Sequence, residues 1–544
     1  MELKNYIKKM MMLSVAVVAM SMTVLSCSDN DDNTEVPSVE PNAIVVEEGM
    51  TMPENAFLKV PAVAGDQNVI NALKAIDKVT DVKAFQMIDR YDYFAEKFTN
   101  KTAYYFNYKQ DVDHNDPSKG WFKQQCVLTV AGQDRPTVLH TEGYALERAK
   151  NHLDSIGEPM LVSVLDANCL QVEYRYHGWS LPEGYTNKWN YLNCKQQSDD
   201  LHAIVTDIKK SGVVGNGKWL STGVSKNGMT TAHYAYHYPN DMDAYVPFCA
   251  PFLLELNASG PYSYILTKEA FDGNVEKMNK VKAAFRAYVG NKKLQAECVK
   301  LHKKNKELDD DDDEEDIRLE MLNDMFGNYF AKMAYVAYNR WEDMIPQEGD
   351  PAQKFYDFIM ADEDTRYPEE SDEEYERRQE TSDDLESDST YSAASRSLTR
   401  AVTSIQRHGP YYVQICIDLG GYGHILTWID DLLTNAEKKY ITRYTKPSYY
   451  GVKYDNGKFI KEFFNGMKQS NCHMMFVYGM QDPWTGGQIP DMYLGANSRK
   501  LFIQHPIGKN STAGLHNDNI DQWNASERNE LFKWLSSLGF DLGK

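Results

Sequence analysis

The sequence predicts an α/β fold: a mostly parallel sheet covered by helices on both faces, carrying a large, mainly helical insertion. Three observations predict it. Between about residues 100 and 253, short β-type runs alternate with helical stretches, as parallel strands joined by crossover helices do. From about Leu254 that alternation gives way to a long Met- and Tyr-rich helical stretch. It resumes at "CHMMFVYGMQDPWTGG" and closes with "SERNELFKWLSSLG", where Asn524 and Glu527 have the spacing of a capping box.

A chain of 544 residues is too long for one core of ordinary size, so two domains, or one large domain with an insertion, are expected. The net charge of −21 would repel phosphates and argues against a nucleic-acid partner. Residues 1–26 read as an address: Lys4, Lys8 and Lys9 precede the apolar "MMMLSVAVVAMSMTVLS", a run too short to span a bilayer. It ends at "VLSC", which resembles a bacterial lipobox. Cleavage before Cys27 and lipidation of Cys27 are the expectation, anchoring the protein to a bacterial membrane, with the outer membrane or cell surface as the expected site. Residues 27–55 are an acidic, Pro/Asn-rich tether. Apart from Cys27, seven cysteines remain in no zinc-like spacing, several in apolar runs, and they read as buried free thiols. Neither a metal nor a cofactor is called for.

Each element follows from its own pattern. "NVINALKAIDKVTDVKAFQMI" spaces apolar residues by three and four and predicts a helix. "TAYYFNYKQDV" and "GWFKQQCVLTVAG", joined by the polar "DHNDPSKG", predict a hairpin. "RPTVLHTEGY" and "CLQVEYRYHGWS" predict strands, and "QQSDDLHAIVTDIKK" a helix. "GKWLSTGVS" is a strand that runs into the helix "KNGMTTAHYAYHY", with "DAYVPFCAPF" a strand after it. The core's first part thus covers 56–253, the insertion 254–410, and 411–544 completes insertion and core. Two acidic stretches, Glu307 to Asp316 and Asp362 to Asp388, read as solvated loops. The first lacks the alternating ligands and turn glycine of a calcium loop.

The stretch "STGVSKNG" carries the chemistry. Ser225 follows a strand and precedes a helix, the context that gives weight to a Gly-x-Ser-x motif. Asn227 occupies the place of the second glycine, though Asn tolerates unusual backbone angles and Gly228 follows. A buried serine ending a core strand is the lesser alternative. Acyl transfer also needs an orienting acid, a base and two oxyanion donors. Asp482, just past "HMMFVYGMQ" and fixed by Pro483, fits the acid, although Asp-Pro is equally a turn signal. Two histidines compete for the base: His505 at the end of "KLFIQ", and His516 in "NSTAGLHNDN", which is favoured because it lies beyond the last strand. His473 begins its strand and is excluded. The oxyanion donors expected are the N–H of Lys226 and that of Gly143 or Tyr144.

With these pieces in place the sequence resembles the secreted mycelial-type tripeptidyl aminopeptidase family of serine peptidases, on the α/β-hydrolase fold. The likeness rests on "QDVDHNDPSKGWFKQQ" with "RPTVLHTEGY", on "VEYRYHGWS", on "KWLSTGVSKNGMTTAHYAYHYPNDMDAYVPFCAP", and on "VYGMQDPWTGG" with the histidine loop. It implies Ser225 as nucleophile, Asp482 as acid, His516 as base, oligopeptide substrates, and release of short peptides from a free N-terminus. The family has glycine where this chain has Asn227. Glu173 is the candidate to hold the substrate ammonium, against an ion pair with Arg175; the insertion would roof the site as a lid. An esterase on the same triad, and a lipoprotein that binds peptides without cutting them, are the competing readings.

Overall fold

The computed structural model describes residues 61–92, 97–146, 158–182, 189–258, 264, 267, 270–271, 273–306, 308, 313–327, 342–361, 410–421, 429–442, 445–504, 513–514 and 517–543. The leader, Cys27, the tether, the acidic stretch after Asp362, His505 and His516 lie outside the described residues.

The first helix is shorter than its pattern suggests. α1 (Gln67–Lys74) buries Val69 and Leu73 and ends at Ala75. The expected helical continuation is instead a strand, β1 (Val79–Asp92), which pairs antiparallel with β2 (Lys97–Asp111). Beyond the turn the chain reads Val79, Thr80 and Val82, β-branched residues that suit a pleated surface better than a helix. Partner strands override a helical spacing here.

The predicted hairpin is β2 and β3 (Trp121–Thr129), in register from Ala103–Thr129 to Asp111–Trp121. β4 (Thr137–Thr141), β5 (Asn168–Val172), β6 (Trp219–Val224), β7 (Ala244–Phe248), β8 (Met474–Gly479) and β9 (Ser498–Ile503) complete one sheet, ordered β1-β2-β3-β5-β4-β6-β7-β8-β9. From β5 to β9 every pair is parallel. β3 runs antiparallel to β5, and the chain crosses over between β4 and β5. This is the α/β-hydrolase arrangement that the resemblance implied.

Parallel pairing fixes where chemistry can gather. The carboxyl ends Thr141, Val172, Val224, Phe248, Gly479 and Ile503 share one edge of the sheet. Helices cover both faces. On one, Leu201, Ile204 and Ile208 of α3 (Cys194–Ser211), Met229 and Ala232 of α4 (Lys226–His237), and Phe463 and Met467 of α10 (Lys458–Gln469) pack against the strands. On the other lie Leu161 and Val164 of α2 (Met160–Val164) and Leu531, Trp534 and Leu535 of α11 (Ala525–Ser537). β8 shows the consequence: Met474, Phe476 and Tyr478 face one core, Met475 and Val477 the other, so the strand reads as an unbroken apolar run. The capping box of Asn524 and Glu527 starts α11 as expected.

The insertion has a core of its own. α5 (Val275–Val289), α6 (Lys292–Asn305), α7 (Glu314–Gly327) and α8 (Ala352–Met360) bury Phe285, Tyr288, Cys298, Met321, Phe355 and Ile359 together. Ile429, Leu433 and Ile441, the last from α9 (Asn435–Ile441), join this cluster, so its packing extends past residue 410. α7 begins within the acidic "ELDDDDDEED" stretch: Glu314, Glu315 and Asp316 fill its first turn, where the helix dipole favours negative charge. The seven cysteines from Cys126 to Cys472 are buried and form no disulfide among the described residues. No helix among the described residues is long and apolar enough to cross a membrane.

Candidate active site

Ser225 stands between β6 and α4 with φ +90° and ψ −117°. A non-glycine residue held there is strained by about 1–3 kcal/mol, and the surrounding structure must over-determine it. It does so. The Ser225 N–H donates to the Phe248 carbonyl at 2.9 Å, and the Ser225 carbonyl accepts the Met229 N–H at 2.8 Å. The side chain makes no capping bond to the helix and the residue is only half-buried. Ser221, within β6, is by contrast fully buried. The two glycines explain how helix and strand meet: a Cβ on Gly223 would lie 2.6 Å from the Asn227 Cβ, and one on Gly228 would lie 2.5 Å from the Phe248 carbonyl oxygen.

Asp482 follows β8 on the same edge and is fully buried. It is at once a candidate acid and a turn residue. Its Oδ1 accepts the Trp484 N–H at 3.0 Å, capping the short 3-10 turn Pro483–Gly487. The Cys249 thiol hydrogen-bonds the same carboxylate; burial and that neighbouring negative charge push the thiol's pKa well up. The described residues flanking His516 converge here: the Gly514 carbonyl accepts the Gln481 N–H at 3.0 Å, and the Asn517 carbonyl lies 3.9 Å from the Cys249 sulfur. Gln504, beside His505, is tied instead to the start of α11, its N–H donating to Glu527 at 2.9 Å.

The turn after β4 corrects one expectation. The Gly143 N–H does not point to a substrate oxygen; it donates to the Asn227 Oδ1 at 2.7 Å. The amide of Asn227 goes on to donate to the Glu142 Oε2 at 2.9 Å. Lys226 opens α4, where the first N–H groups have no acceptor within the helix. Its ammonium is buried, donates to the Gly143 carbonyl and lies over the rings of Tyr174, Tyr144 and Tyr411 at 4.2, 5.0 and 5.3 Å. Burial pulls its pKa down to about 7 against the attraction of Cys194 and Asp418. Nothing in the sequence pattern signalled this cage.

Glu173 is corrected on both readings. Arg175 pairs with Asp200, through Nε at 2.8 Å and Nη2 at 2.7 Å, not with Glu173. The Glu173 carboxylate is fully buried among donors of its own loops: the N–H groups of Leu146, Trp179 and Ser180, and the Ser180 hydroxyl at 2.6 Å. A Cβ on Gly178 would lie 2.1 Å from its Oε1. Glu173 therefore ties two loops together and has no room for a substrate ammonium.

The Arg175–Asp200 pair is fully enclosed and also binds His114 at 2.7 Å. Breaking such a pair leaves a buried charge uncompensated and costs about 3–5 kcal/mol, whereas an exposed pair is worth about 0–1 kcal/mol. Asp200→Ala is therefore expected to lower the melting temperature far more than Asp431→Ala, which removes the exposed Arg286 pair. Equal shifts in a thermal melt would contradict this account of the pair.

Two residues of the insertion reach the site. The Tyr264 hydroxyl donates to the Met480 carbonyl at 2.8 Å, beside the acid, and Tyr411 stacks edge-on to Tyr144 at 5.5 Å. A surface hollow beside β9 and α11, lined by Arg499, Asn529 and Trp534, includes none of the candidate residues. Among the described residues no group of three or more His, Cys, Asp or Glu could hold a metal.

Comparison with known proteins follows the same lines. Residues 71–303 match the family model described as PS-10 peptidase S37. The chain is 26% identical over 470 residues to the prolyl tri/tetrapeptidyl aminopeptidase of Streptomyces mobaraensis, covering 84% of each. Among solved structures it is similar to the rice cell wall degrading esterase LipA of Xanthomonas oryzae, with 12% identity, TM-score 0.34, and coverage of 85% of this chain and 96% of that one. It is also similar to the proline iminopeptidase of Mycobacterium smegmatis, with 9% identity, TM-score 0.33, and coverage of 79% and 98%. Neither structural likeness is close enough to bear on the chemistry.

Proposed function

We propose that the chain is a serine peptidase related to the S37 family and that it releases short peptides from the free N-terminus of oligopeptides. The reaction runs through a Ser225–His516–Asp482 triad and an acyl-enzyme. The observation that carries the reading is the strained, half-buried Ser225 at the turn between β6 and α4. Such strain costs stability and offers nothing to a purely structural serine.

In this mechanism His516 takes the Ser225 proton as Oγ attacks the scissile carbonyl, and Asp482 holds the imidazole in the right tautomer. The developing oxyanion is met by the Lys226 N–H and, with Gly143 committed to Asn227, by Tyr144. His516 then protonates the leaving amine, and water, activated by the same base, hydrolyses the acyl-enzyme. The contacts of Gly514 and Asn517 around the acid favour His516 over His505, whose described neighbour Gln504 is held at α11. Tyr264 and Tyr411 support a roof over the site that admits thin, unfolded chains. The name of the Streptomyces relative supports tri- and tetrapeptide release. The lipobox-like "VLSC" supports attachment to a bacterial membrane through Cys27.

A panel of amides tests this. Tripeptidyl and tetrapeptidyl amides with free amines should be cleaved well, their N-acetylated forms at least ~10-fold less well, since a site built for a polar group discriminates strongly against its loss. Equal cleavage of the blocked forms would contradict an aminopeptidase; turnover of simple esters alone would favour an esterase.

A further inference from the structure

We infer that Asn227 is a positioning residue: together with Lys226 it clamps the 141–144 turn over the nucleophile and so holds that turn's oxyanion donor in place. The inference rests on the triad reading above.

Asn227 is fully buried and engages three consecutive residues of the turn. Its Oδ1 accepts the Gly143 N–H at 2.7 Å, its Nδ2 donates to the Glu142 Oε2 at 2.9 Å, and its backbone carbonyl accepts the Thr141 hydroxyl at 2.7 Å. Lys226 Nζ donates to the Gly143 carbonyl. Both polar groups of Gly143 are thus held by the first two residues of the helix that follows Ser225. The fit is close. A Cβ on Gly143 would lie 2.7 Å from the Lys226 Cγ, 2.8 Å from its Cβ and 2.9 Å from the Asn227 Oδ1.

The amide is chemically required. One end must accept an N–H while the other donates to a carboxylate, and an asparagine side chain offers both at this length. Aspartate would set a second carboxylate against Glu142; glycine would take the acceptor from a buried N–H. Asn227 therefore holds the turn through its side chain, which a glycine at this position could not do. It moves no proton and touches no substrate, so its loss should show in kcat and not in ground-state binding.

The test is steady-state kinetics of N227G and N227D alongside the rate at which a fluorophosphonate labels Ser225. For N227G, kcat should fall about 10²-fold, the cost of a misplaced oxyanion donor, with KM changed less than about threefold. For N227D, activity relative to the parent should rise as pH falls, because one shared proton restores the hydrogen bond between the introduced carboxyl and Glu142. A general packing defect would leave that ratio flat. If N227G fails to fold, the N227D pH ratio decides alone. A flat ratio, or N227G labelled and turning over at the parental rate, overturns the clamp. Absence of any Ser225 labelling in the parent instead overturns the triad reading beneath it.

Discussion

Ser225→Ala is expected to lower kcat by about 10⁶-fold while leaving the fold intact, because triad members act as a unit and removing the nucleophile removes their joint contribution. A second substitution sharpens the result. Ser225 sits at φ +90°, where alanine is as strained as serine but glycine is not. Ser225→Gly should therefore be equally inactive yet more stable than Ser225→Ala, by up to the ~1–3 kcal/mol stored at such a residue. A thermal melt measures the difference. Loss of activity with a raised melting temperature is the signature of strain kept for function. A drop in kcat of only a few fold would mean that another residue is the nucleophile.

Asp482→Asn comes next in size, with an expected loss of about 10⁴-fold in kcat, since an amide there would stabilise the wrong imidazole tautomer. The substitution is clean for structural reasons. Oδ1 of Asp482 caps the Pro483–Gly487 turn by accepting the Trp484 N–H, and asparagine caps as well as aspartate does. The melting temperature should accordingly hold while turnover collapses. If both fall together, Asp482 is chiefly a turn residue; if neither falls, the acid lies elsewhere.

The sheet was legible because its strands carry the signal of their environment. "MMFVYG" is an apolar run and "WLSTGV" adds to its apolar residues only the small, buried Ser221 and Thr222, since both faces are covered, and the step from each into a polar turn marked the edge where Ser225 and Asp482 lie. β1 was misread as helix because spacings of three and four also occur by chance in a strand, and pairing with β2 decided the matter. Glu173 and Arg175 show the limit of spacing arguments. They are two residues apart, yet Arg175 turns to Asp200 on α3, a partner no local pattern reveals. The same holds for Asn227. In the sequence it is a missing glycine; only the turn after β4, more than eighty residues earlier, shows what its amide is for.

The most direct test is to react the folded protein with a fluorophosphonate and locate the adduct by peptide mass spectrometry. The account predicts a single adduct on the peptide containing Ser225, abolished in Ser225→Ala and slowed in Asp482→Asn. An adduct on another serine, or none on folded protein, would contradict it.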